Sequence, residues 1–246
     1  MEDKANGPHH GHMTTTSGRP ADDALLPAVP PAEPDPAPAP VRTVAMSPAR
    51  RGVQLVLGLL VFGASMAMML HANQGAMPWS VLDQGIVGRT GLAYGWVVLG
   101  ISILVMLAWI PLRQRPGIGT VANIILLSLV IDPALWLLEV LLPDPALAPS
   151  IGLALGGIVL NGLGTAAYVG ARLGPGPRDG LMTGAVRLTG WPVWLVKTAI
   201  EVTVVVVGVL LGGTFGWATV AFALGVGPVV QVGVRWFAPS GLVARG

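Results

Sequence analysis

The sequence predicts an all-α membrane protein: six transmembrane helices arranged as two inverted three-helix repeats, with a short non-spanning helix after the first helix of each repeat. Three observations lead there. The first is composition. Of 246 residues, 53% are hydrophobic and only 11% charged, and the mean hydropathy is +0.70. A soluble domain carries about 25% charged residues, so a chain of this kind belongs in a bilayer. The second is self-similarity, which decides architecture before any local reading. The stretches Gly75–Gly91 and Gly174–Gly190 match at a constant offset of 99 residues: Gly75 with Gly174, Pro78 with Pro177, Gly85 with Gly184, Thr90 with Thr189. The register continues through Gly58 with Gly157, Ile101 with Ile200, Gly117 with Gly216 and Thr120 with Thr219. The third is the placement of positive charge, taken up below.

Residues 1–49 are a different material, rich in Pro, Ala, Asp and Thr and free of Phe, Trp and Tyr. Such a segment buries too little surface to offset chain entropy and is expected to be disordered, with an extended Pro-rich part. His9, His10 and His12 lie in it. Arg50 and Arg51 then precede an apolar run over 53–71. A charged start and an apolar core also describe a signal peptide. The copy of this run at 153–170 lies deep inside the chain, which favours a retained first helix near the ~20 residues a bilayer requires.

The second helix is expected over 92–112, the third over 118–142, the fourth over 151–172, the fifth over 191–211 and the sixth over 215–237. The Pro-rich stretch 143–149 divides a first repeat, 50–142, from a second, 150–237, and 238–246 forms a short C-terminus. Two shorter segments, 81–89 and 181–188, each follow a proline and stop at Thr-Gly, which suits a helix end. They are either interfacial or re-entrant. Glycines crowd the fourth helix at Gly152, Gly156, Gly157, Gly162, Gly164 and Gly170, a spacing that lets backbones approach, with Asn161 as interhelical glue. Most tryptophans fall near span ends, as interfacial anchors do.

Three spans per repeat put the second copy into the membrane from the opposite side. With the N-terminus inside, the inner segments hold Lys4, Arg19, Arg42, Arg50, Arg51, Arg113, Arg115, Arg172, Arg178, Arg187, Arg235 and Arg245; the outer segments hold Arg89. This bias places both termini in the cytoplasm.

Ionisable groups within spans are costly and are site candidates by default. Glu201 falls about ten residues into the fifth helix, near the midplane at about 1.5 Å per residue. Lys197 stands one turn earlier on the same face; Arg178 and Arg187 compete for the same carboxylate. The alternative is that Glu201 is a neutralised packing residue. Asp132 precedes Pro133, which removes the hydrogen bond to the carbonyl of Leu129. A carboxylate beside a freed carbonyl can hold a cation or proton in a broken helix; otherwise Asp132 marks the outer end of a long helix that includes Glu139. In the paired loops, Asp179 and its counterpart Ser80 stand where N-caps are expected. The functional alternative is that the helix N-termini below Gly75, Gly174 and Gly176 face an anion. Gly117 and Gly216 open two further helices as counterparts.

There is no phosphate loop, H-E-x-x-H or G-x-S-x-G motif, no cysteine, and His71 is the one histidine beyond the tail. The chain is therefore expected to be neither an enzyme nor a metal or cofactor protein. A net charge of +2 gives no reason to expect nucleic acid. The expected partners are the lipid bilayer and a small molecule or ion, with self-association left open.

The motifs Gly75-Ala-Met-Pro-Trp79, Arg89-Thr-Gly91, Arg115-Pro-Gly-Ile-Gly-Thr120, Gly174-Pro-Gly-Pro-Arg-Asp-Gly-Leu-Met182, Lys197-Thr-Ala-Ile-Glu-Val202 and Gly216-Trp-Ala-Thr219 resemble the YczE/YyaS/YitT-type family of bacterial membrane proteins. The resemblance covers about residues 53–235. It departs at Ser80, where the family often carries aspartate after Pro-Trp. It implies a multi-span plasma-membrane protein and no established substrate. The expected function is a small transporter or permease; the competing expectation is an accessory or scaffold protein working through the Pro-rich tail.

Overall fold

The computed structural model describes residues 46–237. The predicted disordered tail up to residue 45 and the short C-terminus 238–246 lie outside the described residues. Eight helices follow one another: α1 (Pro48–Ala72), α2 (Pro78–Thr90), α3 (Tyr94–Ala108), α4 (Ile118–Leu141), α5 (Leu147–Gly170), α6 (Pro177–Thr189), α7 (Val193–Leu210) and α8 (Trp217–Phe237). Each of the first four starts 99 residues before its counterpart in the second four.

Local chemistry sets these starts and stops. The Ser47 hydroxyl accepts the Arg50 N–H at 3.3 Å, and Pro48 takes the first helical position, where a missing N–H does no harm. The helix thus begins inside the segment expected to be disordered. Pro78 and Pro177 open α2 and α6 in the same way, and Gly91 and Gly190 close them at φ 69°, each donating its N–H to a carbonyl of the last turn, Val87 and Val186. Glycine terminates a helix readily in this left-handed conformation.

Among the described residues five helices, α1, α4, α5, α7 and α8, are long and apolar enough to cross a membrane, and the count rises to six if α2 and α3, bent by 120° at their junction, form one span. The expected second helix over 92–112 is therefore shorter than predicted. The chain leaves the helix at Trp109 and turns over, with Arg113 at φ 51°. Pro111 cannot donate to a continuing helix, and the Trp109 indole is committed elsewhere, donating to the Pro177 carbonyl at 3.0 Å. Trp109 is 2% exposed, a buried tie and not an interfacial anchor. The fourth helix starts earlier than expected, at Leu147.

Helix directions follow from contacts. Along α1 and α5, the Arg51 guanidinium donates to the Ala171 carbonyl at 2.7 Å, Gln54 donates to Ala167 at 2.8 Å, and Asn161 donates to the Ser65 hydroxyl at 3.0 Å. These pairs run in opposite sequence order, so the two helices are antiparallel. Their backbones touch at glycine: a Cβ on Gly58 would lie 2.7 Å from the Tyr168 nitrogen, and one on Gly164 2.8 Å from the Gly58 carbonyl. Within each half, α1 runs parallel to α4, with Gly63 beside Val130 and His71 beside Leu142; α5 runs parallel to α8, with Gly162 beside Val229 and Gly170 beside Phe237.

The connecting loops exchange partners. Gly75, at φ 109°, packs on Gly216 and Thr219 at the start of α8; Gly174, at φ 129°, packs on Gly117 and Thr120 at the start of α4. The positive φ and the close approach both require glycine. Position by position, these are the same two contacts with the halves swapped. The outer surface is apolar, with Leu57, Leu129, Leu210 and Leu224 exposed, as lipid-facing helices require.

Candidate functional site

The starts of α2 and α6 flank a cavity of about 300 Å³. Its walls pair equivalent positions of the two repeats: Phe62 with Asn161, Pro78 with Pro177, Trp79 with Arg178, Val98 with Lys197, Ser102 with Glu201 and Asn123 with Phe222. At four of these pairs, Trp79/Arg178, Val98/Lys197, Ser102/Glu201 and Phe62/Asn161, the first repeat contributes the apolar or neutral member and the second the ionic or amide one. The cavity is symmetric in position and asymmetric in chemistry.

Arg178 anchors it. From the first turn of α6 its guanidinium donates to Asp83 Oδ2 at 2.9 Å and lies 5.0 Å from the centroid of the Trp79 ring, a cation–π distance. Its side chain is 19% exposed, and that of Asp83 is 0% exposed. The bond engages one carboxylate oxygen; among the described residues, Asp83 Oδ1 and the Ser80 hydroxyl are buried without a hydrogen-bond partner. The Tyr94 hydroxyl donates to the Ser80 carbonyl at 3.0 Å. Burying two charges is favourable only when their remaining donors and acceptors are satisfied, and here they are not.

The neighbouring Asp179 accepts a short hydrogen bond from the Tyr168 hydroxyl and the N–H of Gly176. Burial pushes its carboxyl above the usual carboxylate range, opposed by the Tyr168 and Gly176 hydrogen bonds and then by the charges of Lys197 and Arg178. Lys197 and Glu201 form a looser pair, 3.6 Å apart, with side chains 45% and 26% exposed. Loop 173–176 is held against α4 by the Gly119 N–H to the Leu173 carbonyl at 2.7 Å and the Thr120 hydroxyl to the Pro175 carbonyl at 2.7 Å.

Of the residues singled out from sequence, Glu201, Lys197, Arg178, Asp179 and Gly176 line the cavity together. Arg178 is thereby removed from the inner loop charges, since it is bonded to Asp83. Ser80 is buried and does not line the cavity. The N-cap expectation for Asp179 and Ser80 does not hold: the caps are Gly176 and Met77, and the two polar residues sit three positions further in. Because Pro177 and Pro78 occupy the first helical positions, each helix begins earlier than the segments 181–188 and 81–89 suggested. Asp132 does not line the cavity. Its carboxylate accepts the Gly95 N–H at the start of α3 at 3.0 Å, and Pro133 lies within an uninterrupted α4. Gly75, Gly117, Gly174 and Gly216 shape the loops, and a group of three or more metal-ligating side chains is absent among the described residues.

Sequence reasoning missed Asp83. An ionisable group signals a site when it lies inside a span, and α2 is too short to be one. The available signal was that Asp83 is the only acidic residue in the first copy of the repeated stretch, facing Met182 in the second.

Comparison with known proteins places these features in a wider set. DUF6198, a family of unknown function, matches residues 49–235. An uncharacterized protein of Haemophilus influenzae is 40% identical over 177 residues, covering 72% of this chain and 80% of its own length. The uncharacterized membrane protein YczE of Bacillus subtilis is 31% identical over 177 residues, 70% of this chain and 79% of its own. The uncharacterized protein YyaS of Bacillus subtilis is 26% identical over 167 residues, 66% and 82% respectively. No solved structure matches.

Proposed function

We propose that this chain, which belongs to the DUF6198 family of unknown function and is a membrane protein of YczE type, is a small permease whose solute site is the cavity between α2 and α6. The observation that carries the reading is that equivalent positions of two repeats line one cavity bordered by Arg178 and by the Lys197–Glu201 pair. Transporters built from inverted repeats place their sites at the repeat interface near the midplane, at the starts of short or broken helices.

In this reading the halves are inverted copies. The antiparallel course of α1 and α5 and the exchanged loop contacts support it. The short helices α2 and α6 are then re-entrant, both termini face the cytoplasm of a plasma membrane, and the protein moves its solute without converting it.

The chain has no cysteine, so single thiols can be placed cleanly. Ser102→Cys and Thr165→Cys put neutral reporters in the cavity wall. A transporter that alternates access exposes them to a membrane-impermeant maleimide added from either face. Labelling confined to one face, or blocked from both, would remove the transporter reading.

A further inference from the structure

The Arg178–Asp83 pair joins a cavity-facing guanidinium to an enclosed carboxylate and is incompletely bonded. Of the five N–H donors of a guanidinium, one is engaged in a hydrogen bond among the described residues, and the side chain borders the cavity. Asp83 is fully enclosed and keeps one oxygen without a partner, beside an equally unpartnered Ser80 hydroxyl on the same helix. A pair serving stability alone gains by satisfying those groups. A pair that comes apart during function gains by leaving donors free on the cavity side.

Of the other charged groups of the wall, one is held firmly and two only loosely, and a lysine offers no planar fork. Asp179 is held by the Tyr168 hydroxyl, and Glu201 and Lys197 face each other. Most of the remaining wall is apolar, with Phe62, Val98, Leu127, Phe222 and Val226. The free fork of Arg178 matches a carboxylate, which it can hold through two parallel N–H bonds. The apolar wall matches an apolar body.

We propose that Arg178 and Asp83 form a carboxylate-exchange site: a small organic monocarboxylate with an apolar body takes the guanidinium, and Asp83 takes one proton in its place. This rests on the cavity being the solute site. When the guanidinium turns to the solute, Asp83 would be left as an enclosed bare anion, which is far costlier than the neutral acid. One proton from the aqueous side by which the solute enters forms an O–H bond at Oδ1, the oxygen that has no partner among the described residues. On release the proton leaves and the ion pair reforms. One negative and one positive charge move together, so the exchange is electroneutral. The charged and titratable groups facing Asp83 are Arg178 of α6 and Tyr94 of α3; α7 packs on the same helix through the uncharged Gly208 and Leu211.

Calorimetry on the purified full-length protein tests this, with benzoate as the probe and benzylamine as its cationic counterpart. Titrations in two buffers of different ionisation enthalpy count the protons. The expected result is benzoate binding with uptake of about one proton per molecule, and no competition by benzylamine. In Asp83→Asn, binding persists and proton uptake disappears, together with the carbonyl infrared band of a protonated acid that benzoate induces in the wild type. Arg178→Gln weakens binding at least about tenfold; should that variant not fold, Arg178→Lys keeps the charge without the fork and still binds more weakly than wild type. Benzoate binding without proton uptake, binding unchanged in both arginine variants, preference for benzylamine, or no binding of either probe overturns the proposal. A silent benzoate titration with two-sided labelling at Ser102→Cys removes the carboxylate assignment alone. One-sided labelling removes the transporter reading whatever benzoate does.

Discussion

Arg178 stacks over Trp79, its guanidinium carbon 5.0 Å from the ring centroid, and the two residues occupy the same place in the two repeats, 99 positions apart. A contact between a position and its own copy can occur only where the relation between the halves brings the two together. One copy supplies the cation and the other the π face. The Asp83 bond has no mirror image, because the counterpart of Asp83 is Met182. The centre of the molecule is thus duplicated in form and specialised in charge.

Removing one member of this ion pair leaves an enclosed charge uncompensated. Asp83→Asn and Arg178→Met are each expected to lower stability by about 3–5 kcal/mol. The double change Asp83→Asn with Arg178→Met leaves no buried charge and recovers most of that loss. Thermal unfolding of the four proteins in one detergent measures it. Additive losses in the double variant would show that the two side chains do not form a coupled pair.

The glycine contacts between α1 and α5 separate tight from loose positions. A methyl group at Gly164 meets the Gly58 carbonyl at 2.8 Å and the Phe62 nitrogen at 2.9 Å, both backbone, whereas one at Gly156 meets only the flexible end of Met68 at 3.2 Å. Gly164→Ala is expected to destabilise by about 1–3 kcal/mol. Gly156→Ala should be near neutral or slightly stabilising, since alanine favours helix. Equal effects in denaturant or thermal unfolding would contradict the packing described.

Asp179 makes stability depend on pH in a stated direction. Its carboxyl is raised above the ordinary 3.8 chiefly by burial, so the native protein holds the proton more tightly than the unfolded chain does. Stability is then full at low pH and declines as pH rises from 3.8 through the raised native value. Asp179→Asn abolishes that part of the decline, so wild type should lose ground to the variant on going up in pH. Tyr168→Phe removes the hydroxyl that supports the anion and steepens the decline. Paired melts across the acidic range read this out; a wild type that gains on Asp179→Asn with rising pH would refute it.

Topology can be read with the same cysteine-free background. Arg115 and Arg172 lead into the two ends that meet where Gly119 binds Leu173, while Asp144 lies at the opposite ends of α4 and α5. Cysteines at 115 and 172 should react from one face of the membrane and a cysteine at 144 from the other. Labelling of 115 and 172 from opposite faces would overturn the proposal that the halves are inverted.

The sequence by itself determined the class, the repeat and the presence of each helix, while α1, α2, α5 and α6 start earlier than expected. These rest on short-range causes: apolar runs of bilayer length, proline at the first helical position, glycine in the left-handed stop. A constant offset of 99 residues needs no structure to be seen, and it correctly pairs all eight helix starts. Glu201, Lys197, Arg178 and Asp179 were recognisable as candidates because charge in an apolar chain is rare. Tertiary structure alone decided what each of them meets. Asp83 and Arg178 lie 95 residues apart, and their pairing depends on how α2 and α6 are brought to one cavity by glycine contacts elsewhere. Asp132 looked equally suited to a site and instead holds the first turn of α3. Which charges become partners is settled by helix packing, a long-range property that no local run of residues encodes.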